Sequence, residues 1–222
     1  MKALRAILPF VCCIHLSCEK QHSSSDSCSE APLSRVEAEQ LAAEALEAGG
    51  EASHGAVGDP WSFCVDDTPE KCLLISNKIP AIDTFYIRGS DIELSVEQLD
   101  LLEVRDETRE FRILYGSVDP DTFAVLPKKF PQLRELVLWS PSDSDISRLG
   151  EFPNLTIFTS DYDNLITVEE ARRLRQQSTL TSVSIDRAES KEVFDILKDL
   201  PLIEELWVSV TLADGEEVDY EL

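Results

Sequence analysis

Apolar positions along the second two-thirds of the chain repeat one outline. Leu133, Leu136 and Leu138 follow the spacing L-x-x-L-x-L, with Phe130 and Pro131 just ahead of them. The outline returns at Leu155, Phe158 and Ser160, at Leu180, Val183 and Ile185, and at Ile203, Leu206 and Val208. Two fainter copies stand upstream, at Ile82, Phe85 and Ile87 and at Thr108, Phe111 and Ile113. First positions are 22 to 26 residues apart, the step of a repeating strand unit. The last two positions of each triplet share parity, so each predicts a short strand with one apolar face. Between the strands, residues 94–102, 144–149, 168–174 and 189–197 carry apolar residues at helical spacing, and Ser95, Thr167 and Ser190 stand where N-caps belong. Strands and helices alternating at so short a period require parallel strands joined by crossovers.

Upstream, Ser34 and Glu37 have the spacing of a capping box at the head of a helix rich in Ala, Leu and Glu. Ala38, Leu41, Ala42, Ala45 and Leu46 form its apolar stripe, and Gly49 and Gly50 stop it. Residues 61–65 and 71–76 read as two strands joined by the turn residues Asp66, Asp67, Thr68 and Pro69. That hairpin places Cys64 beside Cys72, and in an exported protein such a pair is expected to form a disulfide. Together, residues 34–77 form an N-terminal cap of helix plus hairpin, residues 78–212 hold about six repeats, and residues 213–222 are an acidic C-terminal segment.

The first residues predict export. Lys2 and Arg5 precede an apolar run from Ala6 to Ile14, too short to span a bilayer as a helix but suited to a secretory signal over residues 1–17. Ser17 and Cys18 resemble the end of the lipobox of bacterial lipoproteins, which implies lipidation at Cys18 and a lipid anchor in the cell envelope; His15 stands where that motif usually has leucine. Secretion as a soluble protein is the alternative. Residues 18–33 are polar and serine-rich and read as a tether, whose flexible reach is about 20 Å. Cys28 lies within it.

Charge narrows the partners. With 43 acidic and 20 basic side chains the net charge is -23, which argues against nucleic acid, whose phosphates need clustered Lys and Arg, and accommodates a basic protein. The three histidines fall in the signal, the tether and a glycine-flanked loop at His54, so no Ser-His-Asp or Cys-His set can be assembled. Phosphate-loop, dinucleotide and zinc-protease motifs are missing from the sequence, and it implies no cofactor and no metal. The acidic pairs Asp119 with Asp121, Asp143 with Asp145 and Asp161 with Asp163 read as turn and helix-start signals rather than as calcium ligands.

Taken together, the triplets and their period resemble a leucine-rich repeat protein. The resemblance implies an α/β fold: a leucine-rich-repeat-like solenoid of short parallel strands behind a small N-terminal cap. The Asn or Cys of the family's full motif is replaced here by Ser90, Gly116, Pro141, Asp163, Ala188 and Thr211, and an ordinary α/β domain with an open parallel sheet is the competing fold. On the solenoid reading, the outward strand positions line a concave face in two columns. One holds Tyr86, Arg112, Val137, Thr159, Ser184 and Trp207; the other holds Arg88, Leu114, Trp139, Asp161, Asp186 and Ser209. Tyr86, Arg88, Arg112, Trp139 and Trp207 are residue types enriched in binding hot spots. The expected function is therefore non-enzymatic protein binding through that face. The alternatives are an acidic inhibitor or immunity-type protein that neutralises a basic effector, and a carboxylate-dependent hydrolase.

Overall fold

The computed structural model describes residues 34–54, 60–66, 69–89, 93–115, 117–139, 141, 143–161, 165–212 and 216–222. The signal, the lipidation at Cys18 and the tether with Cys28 fall outside the described residues.

Helix α1 (Arg35–Glu47) opens on the capping box foreseen at Ser34 and Glu37, and Gly49 ends it at φ 81°, a backbone angle that suits glycine. Its buried stripe is Ala38, Leu41 and Ala45; Leu46 points away, 73% exposed. Strands β1 (Gly50–His54) and β2 (Trp61–Val65) then form an antiparallel pair. Helix α2 (Pro69–Ser76) follows.

This corrects the predicted hairpin and its disulfide. Pro69 and Glu70 suit a first helical turn, and Cys72, Leu73 and Ser76 are buried at helical spacing, so residues 71–76 are helix rather than strand. The hairpin lies one element earlier. Cys72 sits inside the core and donates from its thiol to the Ala48 carbonyl at 3.3 Å, whereas strand alternation turns Cys64 to the opposite face of the sheet, where its thiol donates to Asp66 at 3.2 Å. Both are cysteine thiols, not the halves of a disulfide.

Beyond α2 the chain alternates. Strands β3 (Ile82–Arg88), β5 (Glu110–Leu114), β7 (Glu135–Leu138), β8 (Ile157–Ser160), β9 (Ser182–Ala188) and β10 (Glu205–Thr211) pair in parallel, each beside the one before it, and β3 is likewise parallel to β2. Strand β11 (Glu217–Glu221) closes the far edge antiparallel to β10. The result is a nine-stranded, mostly parallel, open sheet whose strands follow chain order. A small second sheet pairs β4 (Glu93–Leu94) with β6 (Ser117–Val118).

The returning segments carry helices α3 (Val96–Leu99), α4 (Pro120–Phe123), α5 (Leu126–Lys129), α6 (Asp143–Arg148), α7 (Val168–Leu174) and α8 (Lys191–Leu197), and a 3-10 turn spans Leu149–Glu151. Ser95 and Thr167 form capping boxes with Gln98 and Glu170, whereas Ser190 stands at its N-cap position without a side-chain bond. From α1 to α8, with α5 set aside, each helix packs on the next.

The core lies between this row of helices and one face of the sheet. All three positions of the apolar triplets are buried there except Ile203, which is partly so. Phe63, Phe85, Phe111 and Phe130 form a run of ring contacts at 5.0 to 6.0 Å, and each buried ring contributes roughly 1.5–3 kcal/mol. Thr108, a polar residue in an apolar place, is fully buried and donates to the Ile82 carbonyl at 2.6 Å.

Candidate functional site

On the other, open face of the sheet two clefts are lined by strand residues. Strand register sets Glu51, Cys64, Tyr86, Arg112, Val137, Thr159, Ser184, Trp207 and Glu221 side by side in one row. Arg88 and Leu114 pair in a second row. That row continues through Trp139 and Asp161, whose N–H groups extend the ladder onto Ile113 and Leu138, to Asp186 and then to Ser209 paired with Asp219. Both columns read from the sequence therefore share this face. Tyr86, Arg112, Trp139 and Trp207 are half-buried on it and Arg88 is exposed.

Charges on the half nearest the N-terminus are matched. Arg88 reaches both carboxylate oxygens of Asp66, at 2.8 and 2.9 Å, and lies 3.5 Å from Glu51. Burial opposes the Asp66 charge, but the hydrogen bonds from Arg88 and Cys64 and the Arg88 charge together outweigh it and hold this carboxyl below its ordinary range. Burial and the neighbouring Asp66 push the Cys64 thiol up to about 12, so it stays protonated. These residues border a cleft of about 270 Å³ lined by Glu51, Ser53, Ser62, Cys64, Tyr86, Arg88 and Leu114.

One strand further on, Arg112 pairs with Glu110 and with Glu135, at 3.3 Å from the latter, and its guanidinium lies 5.8 Å from the centre of the Tyr86 ring. Burial and the proximity of Glu110 raise the Glu135 carboxyl above its ordinary range despite Arg112. Burial also raises the Tyr86 phenol. Arg112 thus holds together a small network, and its charge is already committed within the chain.

The C-terminal half differs. Burial, together with the neighbouring Asp186 carboxyl, pushes the Asp161 carboxyl up to about 7. Beyond them β9 is irregular. Val208 pairs with Ile185 and Val210 with Ala188, so Asp186 and Arg187 together stand opposite Ser209. Such a bulge re-aims side chains, and here both residues line one cleft. That cleft, about 350 Å³, is completed by Trp207, Ser209, Thr211, Glu217 and Asp219. Nearer the middle of the sheet, the Tyr115 ring packs against Trp139, tilted by 50° with centroids 4.1 Å apart, and Tyr115 has φ 65°, a left-handed angle uncommon for a residue with a side chain.

Sequence reading missed Tyr115, the bulge and the strand β11 that the acidic C-terminal segment forms. The alternation of acidic and apolar residues in Glu217, Val218, Asp219, Tyr220 and Glu221 was the available signal for the last of these. Among the described residues no group of three or more His, Cys, Asp or Glu is placed to hold a metal ion. Asp119 is turned to local use, accepting from the Asp121 N–H at the start of α4. The side chains of His54, Asp143 and Asp163 lie outside the described residues.

No protein-family model and no curated protein matches the chain. Among solved structures it is similar to a Bacteroides fragilis protein at 16% identity and a TM-score of 0.44, covering 63% of this chain. The chain spans 43% of the length of that protein.

Proposed function

We propose that this chain is a non-enzymatic protein-binding module, built as a leucine-rich-repeat-like solenoid, that engages its partner through the open face of the sheet. The observation that carries the reading is the register itself: Tyr86, Arg112 and Trp207 stand in one unbroken row, with Arg88 and Trp139 in the next, on a face with two strand-lined clefts. Half-buried aromatic and arginine side chains on a preformed surface are what binding hot spots are made of. A broad, shallow face with small clefts suits a protein better than a small molecule. Among the described residues no helix is long and apolar enough to cross a membrane, and the proposal places the module in a bacterial envelope through lipid at Cys18.

The hydrolase alternative receives less support. Glycoside hydrolysis uses two carboxyl groups about 5–10 Å apart flanking the scissile bond, whereas Asp161 and Asp186 act on each other as immediate neighbours. Cross-linking in intact envelopes tests the binding reading. The wild type is expected to capture a protein that a folded Tyr86→Ala, Trp139→Ala, Trp207→Ala variant does not; capture of the same protein by both removes the open face as the site.

A further inference from the structure

We infer that the strip of the open face running from Tyr115 and Trp139 to Trp207 and β11 takes an extended basic polypeptide segment, with a lysine or arginine side chain lying over the Trp207 indole between Asp186 and Asp219. This rests on the open-face reading and names its partner.

Charge is the first argument. Ion pairs on the N-terminal half bring Arg88 to Asp66 and Glu51, and Arg112 to Glu110 and Glu135. The C-terminal half instead carries Asp161, Asp186, Glu205, Glu217, Asp219 and Glu221, with Arg187 sharing the cleft of Asp186, Glu217 and Asp219. Among the described residues, Glu217, Asp219 and Glu221 enter no ion pair, and they follow one another along one edge strand. Carboxylates on neighbouring strands, about 4.8 Å apart, repel one another, and a cation placed between them relieves that repulsion.

Aromatic placement is the second. Trp is the strongest cation-π partner, and Trp207 borders the acidic cleft while the Tyr115–Trp139 pair stands at the other end of the strip.

Dimensions favour a polypeptide. Five steps separate β5 from β11 in the sheet, which at about 4.8 Å each is roughly 24 Å, the length of about seven extended residues. A cleft of about 350 Å³ at one end accommodates a side chain rather than a folded ligand. The negative face repels nucleic acid and a second copy of this chain.

The test follows the indole NMR signals of Trp61, Trp139 and Trp207 in the full-length protein during titration with a hexa-arginine peptide, with spermine and hexaglutamate in parallel. Expected is movement of the Trp139 and Trp207 signals but not of the buried Trp61, with affinity at least tenfold weaker in an Asp186→Asn, Asp219→Asn variant. A charge-matched Glu97→Gln, Glu103→Gln variant, altered at exposed positions in and after α3, is expected to lose less than twofold. Equal losses in the two variants reduce the binding to net charge and overturn the inference. So do unmoved Trp139 and Trp207 signals, and so does spermine binding as tightly as the peptide. None of these outcomes touches the open-face reading, which fails separately, in the cross-linking comparison.

Discussion

Asp161, just after β8, and Asp186 on β9 bring their carboxyl groups together on the open face, each raising the cost of the other's charge. Burial and the neighbouring Asp186 push the Asp161 carboxyl up to about 7, so a proton is held at this site well above the ordinary carboxylate range. The pair faces Trp139 on one side and the cleft of Trp207, Arg187 and Asp219 on the other; Arg112 is the cation that partly offsets the Asp161 shift.

Stability near neutral pH follows from this pair. The folded chain holds an Asp161 proton that the unfolded chain, at the ordinary value of 3.8, has released, so the contribution is complete below about 4 and is lost as pH rises towards 7. Asp161→Asn keeps a donor for Asp186 without a charge. Because the site is partly open to solvent the effect is discounted: the variant is expected to be more stable than the wild type by about 1 kcal/mol at pH 8 and nearly equal to it at pH 4. Urea midpoints at the two pH values check this, and a variant less stable at pH 8 contradicts it.

Removing Arg112 is expected to have the opposite balance of effects. Glu110 and Glu135 then face each other without their shared cation, and Glu135 is already raised by burial and by Glu110. Arg112→Met is predicted to cost about 1–2 kcal/mol at pH 8 and less at pH 4, below the ordinary value of 4.5, where a raised Glu135 holds its proton. Equal losses at both pH values would show that packing on Tyr86, rather than charge, is what Arg112 contributes.

Arg105 tests a purely structural role. It is buried, 6% exposed, and donates to the Ser76 carbonyl at the end of α2 and to the Ile79 carbonyl at 2.8 Å, while pairing with Glu107 at 3.1 Å. Arg105→Met strips those carbonyls of a charged donor. A loss of about 2–3 kcal/mol in the free energy of unfolding is expected, and a neutral result would mean that water replaces the guanidinium at no cost.

The cysteines offer a direct chemical check. Alkylation in denaturant without reductant, followed by peptide mass analysis, is expected to label both Cys64 and Cys72, and a linked Cys64–Cys72 peptide would contradict the structure. Under native conditions both thiols should react slowly, since Cys72 is buried in the core and Cys64 holds its proton up to about pH 12.

Much of the sheet was legible before any tertiary information. Phe85, Phe111, Leu136, Phe158, Val183 and Leu206 are buried where their spacing put them, and Tyr86, Arg112 and Trp207 face away from the core for the same reason: side chains alternate along a strand whatever lies beside it. Ser34, Ser95 and Thr167 announced their helices because a cap bond is closed within four residues.

By itself, then, the sequence determined what depends on near neighbours: strand parity, helix starts and the acidic excess. Tertiary structure decided the rest. The apolar run at 71–76 fits a strand or a helix equally well, and packing against the body of the domain makes it a helix, so Cys72 turns inward and Cys64 outward. Likewise Asp186 meets Asp161, the bulge brings Arg187 to Trp207, and β11 lays its carboxylates beside them, only because strands distant in sequence share a ladder. Register between strands is a long-range quantity, and in this chain it decides which charges become neighbours.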